Sequence, residues 1–121
     1  MKLGVLTVPL SGMPLSEVLP YLHGLGVQTV ELGAGGYTNP AHLRPELLLQ
    51  DKSEIQKLKE LLKANDMEIS ALSCHGNALH PNKERAAHAD RVFRDTVRLA
   101  NELEVDVVNT FSGCPGDSER S

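Results

Sequence analysis

The chain has 121 residues and a formal charge of −4, from 12 Lys and Arg against 16 Asp and Glu; such a length holds one domain and hardly two. The acidic balance, with no Trp and only two Tyr and two Phe, argues against nucleic acid and anionic membranes as partners, which need positive charge and, for bases, stacking platforms. Cys74 and Cys114 make neither a disulfide scaffold nor a C-x-x-C pair, no run approaches the roughly 20 apolar residues of a membrane span, and the short apolar N-terminus breaks at Pro9 and Gly12; a reduced cytoplasmic protein is expected.

Short β-branched runs alternate with amphipathic stretches. Leu3–Val8 reads as a first strand, closed by Pro9 and Gly12. A helix is expected from Glu17, with Ser16 as N-cap, Pro20 in its first turn, and Val18, Leu19, Leu22 and Leu25 as its apolar stripe. Val27–Leu32 is a second strand, ended by Gly33, Gly35 and Gly36, and the connection Tyr37–Gln50 holds a helical turn near Pro45–Leu49. Ser53-Glu54-Ile55-Gln56 matches a capping box, followed by Ile55, Leu58, Leu61 and Leu62 on one face and Asn65 as terminator. Met67–Ser73 is the third strand. Asn82 then caps a helix of about twenty residues, with Ala89, Val92, Phe93, Thr96, Ala100 and Leu103 at helical spacing. Val105–Phe111 is the fourth strand, and 112–121 reads as a flexible tail.

The order βαβαβαβ lacks hairpin signals, so the sheet should be parallel with right-handed crossovers. Strand starts near residues 2, 27, 67 and 105 lie 25, 40 and 38 residues apart, against roughly 31 per unit in a complete eight-unit barrel. The expected fold is therefore α/β, parallel βα units forming about half of a TIM barrel, with residues 1–121 as one N-terminal half-barrel domain. An open doubly wound sheet is the other parallel architecture, but Gly33-x-Gly35-Gly36 is not its phosphate-binding fingerprint.

In parallel α/β folds, chemistry sits at the carboxyl ends of the strands. Glu31 lies between Val30 and Leu32, so alternation turns its carboxylate to the opposite face, the interior of a barrel; it either faces a ligand or makes a structural ion pair or hydrogen bond. His75 and His80 follow the third strand. Imidazole can ligate a metal, move protons or bond a hydroxyl, while His80 can equally order its loop beside Pro81. Asn109, Thr110 and Ser112 follow the fourth strand with neutral groups suited to a polyol. His42 and His88 read as exposed, and His23 as a helix-end residue. Neither cysteine has a basic neighbour or helix N-terminus to activate it as a nucleophile.

Val30-Glu31-Leu32-Gly33, Ile69-Ser70-Ala71-Leu72-Ser73-Cys74-His75-Gly76-Asn77, Leu79-His80-Pro81, and Val107-Val108-Asn109-Thr110-Phe111-Ser112-Gly113 with Gly116-Asp117 resemble the xylose-isomerase-like TIM-barrel superfamily, within it the sugar phosphate isomerases/epimerases. The resemblance implies a sugar-like substrate, a divalent metal (Mn, Mg, Co or Zn), and proton transfer beside a carbonyl. It carries Glu31, His75, Asn109 and His80 over as substrate-binding groups, with His75 the one metal-ligand candidate. The main metal ligands of the group come from second-half strands, so the chain alone is expected to be inactive. Its partner is expected to be a second copy or a C-terminal half-barrel. The alternatives are a non-catalytic ligand- or protein-binding module and, more distantly, a DNA-repair enzyme like endonuclease IV, for which the fourth strand lacks the histidine.

Overall fold

A computed structural model of the chain describes residues 1–116. Its elements are β1 (Gly4–Leu6), a 3-10 turn (Val8–Leu10), α1 (Leu15–Gly24), β2 (Thr29–Gly33), α2 (Pro45–Leu48), α3 (Lys52–Ala64), β3 (Glu68–Ser73), α4 (Lys83–Leu103) and β4 (Val108–Asn109). The strands lie side by side in chain order, and every pairing is parallel. Parallel neighbours require a crossover, and here helices supply it. The result is half of a TIM barrel, as the βα arithmetic implies.

The strands' two faces have opposite fates. Val30, Leu32 and Leu72 are fully buried beneath the helices, packed with Val18, Leu19, Ile55 and Leu99. Residues of alternate parity face the barrel interior, where Glu31 is half-exposed. A bulge keeps this pattern in phase. Val30 pairs with Ile69 but Glu31 pairs with Ala71, so Ser70 is an extra residue on β3. Without it Leu32 would pair with Ala71, and Leu72 would turn inward. Ser70 Oγ–H donates to the Val30 carbonyl at 3.2 Å, satisfying an acceptor beside the disrupted ladder.

Several element ends differ from expectation. α1 begins at Leu15 behind Pro14, not at Glu17 behind Ser16, so Pro20 lies inside the helix rather than in its first turn. An interior proline leaves the carbonyl four residues back without its helical donor. Pro20 and Ser16 are both exposed, so water can serve that carbonyl while Val18, Leu19 and Leu22 anchor the helix. Leu25 falls beyond the helix end, 61% exposed. Asp51, not Ser53, caps α3, and Gln56 bonds Glu60 instead of closing a capping box. Asn82 caps α4 as expected. Phe93, assigned to the apolar face of α4, lies at its rim and is exposed. β1 is shorter than the run Leu3–Val8 because the chain turns into the 3-10 segment from Thr7 onward, and β4 is shorter than Val105–Phe111 because it pairs with β3 only at Val108 and Asn109.

Residues 117–121 of the expected tail lie outside the described residues. Ahead of them, Asn77 bonds both backbone groups of Cys114, with Nδ2–H donating to its carbonyl at 2.7 Å and its N–H donating to Oδ1 at 2.9 Å. Among the described residues, no helix is long and apolar enough to cross a membrane.

Candidate functional site

The polar groups of the inner face meet at the carboxyl ends of three adjacent strands. Register places Gly33 of β2 beside Ser73 of β3, and Ser73 beside Asn109 of β4. The Glu31 carboxylate reaches across them. Its Oε1 accepts from Ser73 Oγ–H and, at 3.1 Å, from Asn109 Nδ2–H. Ser73 is fully buried, so its hydroxyl is held where desolvation makes an unused donor expensive. Both bonds go to one oxygen, and Oε2 accepts no hydrogen bond from a described residue. The arrangement is a fixed carboxylate with one free oxygen on the interior side of the sheet.

One step further along the strands lies an aromatic level. The His75 ring stacks on Phe111, with centroids 4.3 Å apart and planes inclined by 18°, and Tyr37 approaches Phe111 at 6.5 Å. No hydrogen bond from a described residue reaches the His75 ring, and its Nδ1 is buried without a partner. Two loops converge here: Tyr37 N–H donates to the His75 carbonyl at 2.6 Å. A Cβ on Gly36, where φ is +69°, would lie 2.1 Å from that carbonyl oxygen, so only glycine permits the approach. The Gly33–Gly36 stretch is thus what lets the loop after β2 close on the loop after β3.

The structure brings Glu31 and Asn109 into direct contact and sets His75 above them. His80 Nδ1 accepts from the Asn82 N–H at 2.9 Å, and the ring lines a cavity of about 380 Å³ with Tyr37, Asn77 and Arg85. His42 is not exposed as expected. It is half-buried, with Nε2 2.8 Å from the Met13 carbonyl and Nδ1 2.9 Å from Thr7 Oγ1; the carbonyl can only accept, so Nε2 carries a proton and the ring ties two loops together. Ser73, Phe111 and Tyr37 escaped the sequence reading. Parity from Glu31 and Asn109 points toward Ser73 and Phe111, but the bulge at Ser70 hides the first and the irregular backbone after β4 the second.

Burial pushes the Cys74 thiol above its ordinary range, against an opposing pull from the Thr96 and Thr110 hydroxyls. Cys74 is 3% exposed, which makes it a packing residue rather than a nucleophile. A divalent cation asks for three or more converging donors. Among the described residues no three His, Cys, Asp or Glu side chains converge, and Glu31 is engaged with Ser73 and Asn109 while the His75 ring lies against Phe111. The described residues therefore do not build such a site by themselves.

A family model described as xylose isomerase-like TIM barrel matches residues 19–121. The chain belongs to this family. It is 33% identical over 115 residues to the uncharacterized protein YfiH of Bacillus subtilis strain 168, covering 95% of this chain and 36% of YfiH. Its fold is similar to the crystal structure of the probable 3-DHS dehydratase AsbF, involved in petrobactin synthesis, from Bacillus anthracis. That likeness has a TM-score of 0.64 and 17% identity, and covers 93% of this chain and 39% of AsbF. The xylose isomerase-like chain thus spans little more than a third of the length of either relative. The matched region contains β2, β3 and β4, and with them Glu31, Ser73 and Asn109.

Proposed function

We propose that this chain is the substrate-binding N-terminal half of a sugar isomerase- or epimerase-like barrel. The observation that carries the reading is the Glu31 carboxylate, held by Ser73 and Asn109 at the inner carboxyl ends of β2, β3 and β4. A carboxylate with one oxygen pinned and the other free is built to accept a hydroxyl hydrogen from a polyol. The Asn109 side chain is exposed and brings a carboxamide oxygen to the same face, so vicinal hydroxyls could be read together. Fixing the substrate in this way presents its carbonyl and adjacent carbon for proton transfer by the completed barrel. A divalent metal would serve such chemistry by polarising the carbonyl; its ligands would come from outside the described residues.

Among the described residues β1 and β4 each have an unpaired edge, and such edges invite strand addition. A second copy, or a C-terminal half-barrel, completes the cylinder in this proposal. The test is hydrogen exchange. With the barrel completed by a co-expressed C-terminal half, ketoses and aldoses incubated in D2O take up deuterium at the carbon beside the carbonyl. Glu31→Gln reduces that uptake by about 100-fold, a magnitude in the range of positioned polar groups. Sugar binding without deuterium uptake favours the alternative, a non-catalytic binding module.

A further inference from the structure

The outer helical layer holds a groove of about 450 Å³, between α3 and the loop that leads into α2. Its apolar lining is five leucines: Leu43 and Leu58 are buried, Leu48 and Leu61 are partly buried against the core, and Leu47 is 54% exposed. A single exposed leucine is ordinary, whereas a cluster around one hollow marks a surface that can take a partner. Arg44 gives the groove its sign. It lines the hollow, and its guanidinium makes no hydrogen bond or ion pair with a described residue. Glu54 of α3 is already engaged by Lys57 in an ion pair. The lining thus sets two cations, Arg44 and Lys57, against one carboxylate, opposite in sign to the chain as a whole at −4. The wall is also built before any ligand arrives. Pro45 is buried and holds Arg44 extended at φ −119° and ψ 98°, the backbone that a following proline favours. His42, in the same wall, is bonded at both ring nitrogens, to Thr7 and Met13.

We propose that this groove binds a medium-chain aliphatic carboxylate, with the chain along the leucines and the head group on Arg44. The volume falls within the roughly 300–1,000 Å³ of small-ligand clefts, which join an apolar lining to a few placed polar groups. A guanidinium meets a carboxylate through two parallel N–H···O bonds, a match that an ammonium does not offer. The aliphatic chain removes from water the exposed surface of Leu47 and what Leu48 and Leu61 leave uncovered. A neutral alcohol of the same length gains that burial alone, and acetate gains the charge alone. Both walls lie within the described residues, so the groove does not depend on completion of the barrel.

The test titrates the 121-residue chain with octanoate, kept below micelle formation, with octanol and acetate as controls, and follows the leucine methyl signals by NMR. Octanoate is expected to bind saturably and to shift Leu47, Leu48 and Leu61, while Leu3 and Leu6 beside the β1 edge stay in place. It should bind about fivefold more tightly than octanol, the range of a solvent-exposed ion pair, and acetate should shift nothing. Arg44→Gln should abolish that preference without changing the affinity for octanol. Leu47→Ser should weaken both ligands alike, by about fivefold, through the apolar area it no longer contributes. Equal affinity for octanoate and octanol, a preference unaltered by Arg44→Gln, or shifts led by Leu3 and Leu6 would overturn the proposal. So would the lack of saturable binding, which would leave the groove to a protein partner. Arg44 and Leu47 are both exposed, so neither substitution opens the core, and circular dichroism of each variant verifies the fold.

Discussion

Cys74 and Cys114 are chemically the same residue in opposite settings. Cys74 lies under the helices with its thiol pushed above the ordinary value of 9.0 by burial, while Cys114 is exposed. A thiol-specific reagent at pH 8 should therefore label Cys114 quickly and Cys74 only upon unfolding, a difference visible by mass spectrometry. The same shift links stability to pH. The unfolded thiol ionises first as pH rises, so the contribution of Cys74 is full below its ordinary value and is lost as pH climbs toward the raised folded one. A Cys74→Ala protein should show a flatter stability profile above pH 9. Ser73 gives a second expectation: Ser73→Ala removes a charge-assisted bond to Glu31 and should cost about 2 kcal/mol in urea unfolding. Glu31 was legible as an inward carboxylate because its neighbours are both apolar. Its partners were not, because their strand register depends on one extra residue in β3.

Helix starts show how local chemistry competes. Asn82 Oδ1 accepts from the N–H groups of Glu84 and Arg85 at 3.0 and 3.2 Å, so Asn82→Ala should cost about 1 kcal/mol in thermal or urea unfolding. At α3 two residues could cap. Asp51 prevails: its Oδ1 accepts from both Ser53 N–H and Ser53 Oγ–H, and a carboxylate at a helix N-terminus also gains from the dipole. Those bonds to Ser53 hold the Asp51 carboxyl below its ordinary value of 3.8. Its stabilising contribution is present above that value and disappears as pH falls through the lowered folded one. Asp51→Ala should lower the melting temperature at pH 7 and lose that effect in strong acid, whereas Ser53→Ala should act more weakly. The capping-box pattern at Ser53 was read correctly as a helix start and displaced by two residues, because sequence alone does not rank two adjacent caps.

At the scale of the whole fold, the described residues form four strands of a half-barrel. β1 and β4 are the two ends of a sheet in strict chain order. Leu3 and Leu6 at one end, and Val107 and Phe111 at the other, are exposed. Exposed apolar groups beside unpaired strand edges favour association. Light scattering after size exclusion should report a mass of at least twice 13.1 kDa, or a monomer that becomes a heterodimer when a C-terminal half-barrel is supplied. A monodisperse monomer that stays so at high concentration and ignores that half would defeat the expectation.

The sequence by itself determined the alternation of strands and helices, the parallel sheet and the inward face of Glu31. These follow from periodicity and connection length, which are local properties. Tertiary structure decided which groups meet: the Ser70 bulge that brings Ser73 under Glu31, the Gly36 approach that joins two loops, and the stacking of Phe111 on His75. Each depends on the register between segments about 30 to 40 residues or more apart in the chain. No local rule sets that register, because it comes from the packing of the sheet against its helices and of one loop against another.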